Sequence, residues 1–253
     1  LRRFPLEAGV SPQFVEMDDR AARHLREEIV ETLADGPNPV AFDGIARWYT
    51  GDDLARLTEE IAKHRNLFPG AADAAAIWGQ FGLPPGYSAD ELNREVFLGG
   101  EAALIARLIA ALRGGSANDV KAADKLAALG GGPLDHQALA LLEGMFLTGS
   151  GAKSPYSAKI GSFPTKATQA ACPDIMPELD ALMARVEAAR DRRVALAAAE
   201  KTLALHRFAA EFLPEYAAAK LRHGWLDFDD LILKARDLLT DPGVAEWVLY
   251  RLD

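Results

Sequence analysis

The feature that most constrains the fold is a long helical pattern from Pro177 to about His223. Proline suits the first turn of a helix, since its missing amide hydrogen would have no partner there. If unbroken, this helix is about 70 Å long at roughly 1.5 Å per residue, far longer than an ordinary globular helix. We expect Pro214 to kink it or to end it just upstream. The apolar positions that repeat at helical spacing are Leu179, Leu182, Val186, Leu205, Phe208, Phe212 and Tyr216.

Helix starts are marked elsewhere by a hydroxyl residue three positions before an acid, the spacing of a capping box. Alternation of polar with β-branched residues, which would indicate strands, is almost absent apart from a few residues around Phe14 and Val15. The sequence therefore predicts an all-α fold, an irregular helical domain with one very long helix at about 177–223 that has the expected kink site at Pro214. The three capping pairs are Thr50 with Asp53, Ser88 with Glu91, and Ser116 with Asp119.

The composition excludes few classes of function, but it indicates a cellular compartment. The formal net charge of -9 argues against a surface built wholly for nucleic acid or anionic lipid, yet it allows local basic patches. The single cysteine, Cys172, has no partner for a disulfide or a CxxC metal site, which favours a reducing, cytoplasmic setting. No stretch approaches the roughly 20 apolar residues that span a bilayer, so we expect no membrane partner. The chain starts at Leu1 with no signal-peptide pattern, and we expect an excised piece of a longer protein.

A basic segment interrupts this acidic chain between residues 148 and 173, where there are three lysines and no acid. One interpretation is a flexible, solvated connection rich in Ser, Gly and Pro. The other is a phosphate-contacting loop, in which the lysines meet a nucleic-acid backbone and Tyr156 or Phe163 stacks on a base. The lysines are Lys153, Lys159 and Lys166.

A second basic group, Arg190, Arg192 and Arg193, lies on the long helix. It is either a further DNA-contacting patch or a solvated helix face. Motifs for other chemistry are missing from the sequence. There is no G-x-x-x-x-G-K-[ST] phosphate loop, no HExxH pair among the five histidines, and no G-x-S-x-G nucleophile turn.

The stretch "HGWLDFDDLI", from His223 to Ile232, packs three aspartates around one phenylalanine. A metal-dependent enzyme built on Asp227, Asp229 and Asp230 would need further oxygen ligands, and the spacing is not that of a calcium loop. A helix start explains the acids better. Asp227 can cap the helix, and the other two aspartates then lie in its first turn, at the positive end of the dipole. The residues expected on its buried side are Leu226, Phe228, Leu231 and Ile232.

The two ends of the chain resemble one family. Residues 1–14, with the acidic turn at Asp18 and Asp19, resemble the sequence beyond an early DNA-contacting motif of UvrD/Rep-type superfamily 1 helicases. Residues 216–232 resemble the Leu-Asp-Phe-Asp-Asp-Leu motif that these helicases carry shortly before their Walker B strand. The similarity is strongest to the AddA branch, the helicase and nuclease subunits of bacterial AddAB double-strand-break repair enzymes. The match is confined to the two ends of the chain and is vague in the helical middle.

The resemblance implies a domain organisation. Residues 1–17 would be a flank of the helicase motor, residues 18–223 a 1B-like insertion domain of the RecA-like core, and residues 224–253 the return to the motor. The Walker A lysine would then precede this chain and the Walker B acids would follow it. ATP and magnesium are accordingly implied for the parent protein but not for this piece, which we expect neither to hydrolyse ATP nor to cut DNA.

The resemblance also implies partners: DNA, the remainder of the helicase motor and an AddB-like subunit. It places the motif Leu226, Asp227, Phe228, Asp229, Asp230 and Leu231 where the insertion meets the motor. It does not identify DNA-contacting residues, so the six basic candidates rest on charge alone. The alternative is a helical protein-interaction module without DNA binding, whose long helix binds a partner subunit.

Overall fold

The structure, a computed structural model, describes residues 1–37, 39–130 and 134–252. Helices dominate this described part, and the predicted all-α class is confirmed. Two short strands are β1 (Val15–Glu16) and β2 (Trp225–Leu226), and one 3₁₀ turn is Arg65–Leu67. The α-helices are α1 (Asp19–Ala34), α2 (Val40–Ala46), α3 (Asp52–Lys63), α4 (Ala74–Gln80), α5 (Ala89–Val96), α6 (Glu101–Arg113), α7 (Ala117–Ala127), α8 (His136–Phe146), α9 (Lys166–Ala171), α10 (Met176–His223), α11 (Phe228–Thr240) and α12 (Ala245–Leu252).

The long helix α10 begins and ends within one residue of the predicted range. Pro214 lies inside it, so the expectation that the helix could end upstream of this proline is wrong. A proline has no amide hydrogen for the carbonyl of Ala210 four residues earlier. The buried side chains of Phe212 and Tyr216 flank the proline, and their packing holds the helix together across the missing hydrogen bond.

Two of the three predicted capping boxes are confirmed. Ser88 with Glu91 starts α5, and Ser116 with Asp119 starts α7, each with both reciprocal hydrogen bonds. The third prediction, Thr50 with Asp53, is wrong. Gly51 is the N-cap of α3, at a φ of 54°, and no side chain caps that helix.

The chain divides into two compact units, one of Leu1–Asp73 with Lys201–Asp253 and the other of Ala74–Glu200. The division falls inside α10. The predicted boundaries after residues 17 and 223 assign each segment to a domain of the parent protein. The compactness of the two units does not test that assignment. These boundaries therefore stay a prediction.

The first unit is built around the C-terminal part of α10. Its core includes Phe208 and Phe212, whose rings stack at 5.6 Å, and Leu25 and Ile29 from α1. Tyr216 continues the aromatic row, 5.7 Å from the ring of Phe212. Burial of these large side chains supplies most of the favourable free energy of folding in this unit.

A two-stranded parallel sheet also belongs to the first unit. Val15 pairs with Trp225 and Glu16 with Leu226, and the backbone amide of Val15 donates to the carbonyl of Gly224 at 2.9 Å. Parallel strands need a long crossover connection, and here the chain from α1 to α10 supplies it. The weak strand signal around Phe14 and Val15 in the sequence marks β1.

The second unit packs α4 to α9 around the N-terminal part of α10. Arg185 of α10 donates to the backbone carbonyl of Val96 at 2.8 Å and to the carboxylate of Glu101 at 2.7 Å. No helix in the described residues is both long and apolar enough to cross a membrane. The fully buried core side chains of this unit include Leu108, Leu112, Leu139, Leu142, Phe146, Leu179 and Leu182.

Candidate nucleic-acid interface

Residues 146–159, which contain the first two lysines of the basic segment, form a closed, hairpin-like loop. We call it the lysine loop. The amide of Thr148 donates to the carbonyl of Ser157 at 2.9 Å, and the amide of Lys159 donates to the carbonyl of Phe146 at 2.8 Å. The Thr148 hydroxyl oxygen accepts from the amide of Ser157 at 3.0 Å. These bonds close the loop on itself. Both interpretations of the basic segment stay predictions.

The second half of the segment is tied to α7 through Asp119. This carboxylate accepts hydrogen bonds from the hydroxyl groups of Thr165 at 2.6 Å and of Thr168 at 3.0 Å. It also accepts from the amide of Thr165 at 3.2 Å and from the amide of Ser116 at 3.0 Å. Asp119 is only 2% exposed. One carboxylate therefore caps its own helix and holds the start of α9 against it.

The hydrogen bonds to Asp119 keep it ionised. Burial alone would raise the pKa of this carboxyl, but the hydrogen bonds from Thr165 and Ser116 outweigh burial and lower the pKa to about 2. The charge is satisfied by donors and not by a basic side chain. Asp119 is accordingly a structural brace for the segment that carries Lys166.

The contact between Asp119 and Thr168 leaves no space for a side chain at Gly115. A Cβ at this position would lie 2.5 Å from the Thr168 hydroxyl oxygen and 2.7 Å from a carboxylate oxygen of Asp119. We expect Gly115→Ala to lower the free energy of unfolding by about 2 kcal/mol, because the added methyl group overpacks a buried cluster. Urea denaturation followed by circular dichroism measures the change.

Gly114 is the matched control for that substitution. A Cβ there would meet only the carbonyl oxygen of Ala111 at 3.6 Å, which is an ordinary contact. We expect Gly114→Ala to change the free energy of unfolding by no more than about 0.5 kcal/mol. Equal losses in the two variants would mean that the space around Asp119 does not limit stability.

The three predicted lysines have different environments. Lys153 and Lys166 are exposed, and their ammonium groups have no partner within the described residues. The ammonium group of Lys159 donates to the backbone carbonyl of Met145 at 2.6 Å and is partly buried. Burial and the nearby charge of Lys125 lower the pKa of Lys159. Lys159 therefore stabilises the loop, and only Lys153 and Lys166 are free to contact a phosphate.

The arginines of the second basic group are engaged with other side chains. Arg193 forms a two-point ion pair with the nearly buried carboxylate of Glu143, with one N–O distance of 2.7 Å. Arg192 forms an ion pair with Glu95. These carboxylates neutralise the two arginines locally, so the group does not form the continuous basic patch that charge alone suggested.

The third arginine joins an aromatic ring of the lysine loop. The guanidinium carbon of Arg190 lies 3.5 Å from the centre of the Tyr156 ring, and the guanidinium also pairs with Asp191 at 3.2 Å. Phe163, the other candidate for stacking on a base, instead packs on the ring of Phe146 with a centroid distance of 5.7 Å. Tyr156 is thus the stacking candidate that stays accessible.

The Asp-Phe-Asp-Asp stretch forms the start of α11, as the sequence predicts. The carboxylate of Asp227 accepts from the amide of Asp230 at 2.7 Å, and the carboxylate of Asp230 accepts from the amide of Asp227 at 3.1 Å. Asp229 lies in the same first turn. This capping box confirms the interpretation of the acids as a helix start.

Two basic side chains form ion pairs with this helix start, and the sequence did not identify either of them. Lys220 of α10 is buried and forms ion pairs with both Asp227 and Asp230. Arg65 approaches the carboxylate of Asp227 at 3.1 Å and that of Asp230 at 3.0 Å. We call these four residues the aspartate cluster. The ammonium and guanidinium groups take up the carboxylate oxygens that a metal ion would need as ligands.

The predicted buried side of α11 is partly wrong. Leu226 and Leu231 are half-buried, but Phe228 is 68% exposed and Ile232 is 52% exposed. Leu238 is the buried residue of α11, and several apolar side chains on the rest of the helix are exposed to solvent. Phe228, Ile232 and Leu239 form an exposed apolar stripe on α11 at helical spacing.

The residues that the sequence analysis missed share one property. Each acts on a residue outside its own helical element, and no local motif identifies such contacts; these residues are Asp119, Lys125, Arg65 and Lys220. One of them had a sequence signal. The capping pair of Ser116 and Asp119 identified Asp119 as a helix cap, but not as the acceptor for Thr165 and Thr168.

Comparison of the chain with protein-family models, with curated proteins and with solved structures finds no match in any of the three.

Proposed function

We propose that the chain is a helical, 1B-like insertion region of an ATP-dependent DNA helicase and exonuclease of the AddA type. In this role it guides DNA during double-strand-break repair and recombination. The parent protein would be cytoplasmic, and its motor and an AddB-like subunit would be the protein partners. ATP and magnesium would be bound by motor residues outside these 253 residues.

The observation that carries this proposal is the parallel pairing of β1 with β2. Val15 of one strand lies opposite Trp225 of the other, and the chain between them is helical in the described residues. A helical region inserted into a parallel α/β sheet would have this arrangement, because its two flanking segments return to neighbouring positions. RecA-like motors contain such sheets, so the pairing supports the organisation that the resemblance implies.

The exposed surface around the sheet supports a protein neighbour. Parallel sheets are normally covered by helices on both faces and continue into further strands. Here Val15 is 55% exposed, and the apolar stripe of Phe228, Ile232 and Leu239 on α11 has no cover from the described residues. Both features fit a chain that docks on a larger α/β body.

The lysine loop and the neighbouring Lys166 support DNA contact. Lys153 and Lys166 have free ammonium groups on segments that hydrogen bonds hold in a fixed conformation. Because the backbone is already held, the entropy cost of binding a phosphate falls on the lysine side chains and not on the loop. With about two phosphates neutralised, log affinity for a single strand should fall with log salt at a slope near -1.4.

A salt titration of DNA binding tests the proposal. We expect a fluorescent single-stranded oligonucleotide to bind the 253-residue chain at low salt, and affinity to fall roughly sevenfold between about 50 and 200 mM salt. Lys153→Ala and Lys166→Ala should each reduce the slope by about 0.7, because each removes one phosphate contact. Fluorescence anisotropy measures both quantities.

Lys63→Ala is the control in this titration. Lys63 is an exposed lysine of the other unit, paired with Glu59 at 2.7 Å, and its loss changes the net charge by the same amount. We expect it to leave affinity and slope unchanged. Lys159→Ala is not informative, because it also breaks the bond to Met145 that stabilises the loop.

The second candidate is a helical protein-interaction module without DNA binding, which would use the apolar stripe on α11 as its binding surface. It predicts no binding of the oligonucleotide at low salt. It also predicts that Phe228→Asp abolishes capture of a protein partner, whereas Lys153→Ala has no effect on any interaction.

A further inference from the structure

The guanidinium group of Arg190 lies over the ring of Tyr156, with 3.5 Å between the guanidinium carbon and the ring centre. At that distance the cation covers one face of the ring. Tyr156 as a whole residue is 39% exposed. With Arg190 over one face of the ring, the opposite face and the edges are the parts left for a ligand. The stack therefore presents an aromatic face to solvent, backed by a charged group of α10.

The backbone holds this ring in place against its own preference. Tyr156 has a φ of 58°, the left-handed region that a bulky side chain rarely adopts. Its amide donates to the carbonyl of Thr148 at 3.2 Å, within the closed lysine loop. A non-glycine residue in such a conformation persists only where its surroundings impose it, and such residues cluster at functional sites.

The charges around the stack are nearly balanced. Lys153, three residues before Tyr156, is exposed and free, whereas Arg190 is paired with Asp191 at 3.2 Å. Glu187 accepts the amide of Ala158 at 3.1 Å and adds one negative charge nearby. A ligand held by phosphate contacts alone would find one free lysine, Lys153, in the lysine loop. A ligand with an exposed flat ring and one phosphate within reach of Lys153 fits better.

We propose that the stack of Tyr156 on Arg190 is a platform for one unpaired base of single-stranded DNA. The inference rests on the proposed function and narrows it to a strand type. In a duplex each base is stacked on both faces, whereas a base in a single strand can turn a face to an aromatic ring. Arg190 is a positioning residue, since it supports the ring from behind.

Oligonucleotides that differ only in their bases test this platform. A 12-residue deoxyadenosine strand and an abasic strand of the same length carry the same phosphates, so a difference in affinity reports on base contacts. We expect the wild-type chain to bind the adenine strand about tenfold more tightly, the size of effect that one base–aromatic stack produces. Fluorescence anisotropy at a single low salt concentration gives both affinities.

Substitutions at the stack separate the ring from the charge. Tyr156→Gly removes the ring and tolerates the positive φ, and it should make the two affinities equal. Tyr156→Phe keeps the ring and should keep the tenfold preference. Arg190→Lys keeps the charge but loses the planar support, so it should reduce the preference to about threefold. Thermal unfolding of each variant shows whether the fold is retained. If Tyr156→Gly does not fold, the reduced preference of Arg190→Lys for the adenine strand tests the platform.

The outcomes separate failure of the base platform from failure of DNA binding itself. Equal binding of the adenine and abasic strands by the wild-type chain, with the salt dependence intact, would overturn the platform and leave DNA contact in place. Tighter binding of a duplex than of the adenine strand would also overturn it. No binding of any strand at low salt would overturn the proposed function itself, and the platform with it.

Discussion

Asp119→Ala should lower the free energy of unfolding of the chain by about 3 kcal/mol. The substitution leaves the hydroxyl groups of Thr165 and Thr168 and the amide of Ser116 without their acceptor in a buried site. Each orphaned buried donor costs about 1 to 3 kcal/mol, and partial relaxation keeps the total below the sum. Urea denaturation followed by circular dichroism gives the value.

Asp124→Ala is the control for this effect. Asp124 is an exposed carboxylate on the same helix, α7, and we expect its loss to change stability by less than about 0.5 kcal/mol. A similar loss in both variants would show that the charge of α7, and not the brace, is responsible.

The contribution of Asp119 should depend on pH in the acid range. Its pKa is about 2 in the folded chain against 3.8 in the unfolded chain, so the unfolded state binds the proton more readily. The resulting stabilisation, about 2 kcal/mol, is fully present above pH 3.8 and is lost as the pH falls towards 2. In Asp119→Ala this part of the acid dependence should disappear.

Lys220→Ala should have the largest effect of any substitution considered, about 4 kcal/mol. It removes the buried ammonium group that pairs with Asp227 and Asp230 and leaves two poorly exposed carboxylates with Arg65 alone. Removing one partner from a buried ion pair costs about 3 to 5 kcal/mol, because the remaining charge keeps its desolvation penalty. The loss should appear as a lower urea midpoint for the unit that contains α11.

The pKa of Asp227 reports on the same cluster. Burial alone would raise it, but the hydrogen bond from Lys220 and the other contacts lower it to about 2. In Lys220→Ala the pKa of Asp227 should therefore rise, which carboxyl-detected NMR can follow. Arg222→Ala is the control, since Arg222 is an exposed cation in the same last turn of α10. If Arg222→Ala destabilised the chain as much as Lys220→Ala, the aspartate cluster would not be the cause.

Local signals in the sequence predicted the helices well. The apolar spacing predicted α10, and the pairs Ser88 with Glu91 and Ser116 with Asp119 predicted two helix starts, because caps and amphipathic faces depend on residues only a few positions apart. Thr50 failed as a cap because Gly51, with its positive φ, takes that position. Pro214 failed to end its helix because tertiary packing on both sides outweighs one lost hydrogen bond.

The candidate site was harder to predict, because charge along the sequence does not show which cations are free. Of the six basic candidates, Arg192 and Arg193 are paired with carboxylates of other helices, and Lys159 is bonded to a backbone carbonyl. Those partners lie far away in the sequence. The outward side of α11 could not be predicted either, because Phe228 and Ile232 have the helical spacing of a buried face.

The most direct test of the account is amide hydrogen exchange of the full chain with and without a single-stranded oligonucleotide. We predict slower exchange in residues 148–166 and around Arg190 of α10 when DNA is bound, with no change in α11. The account would be contradicted if DNA left residues 148–166 unprotected, or if protection were confined to the apolar stripe of Phe228, Ile232 and Leu239.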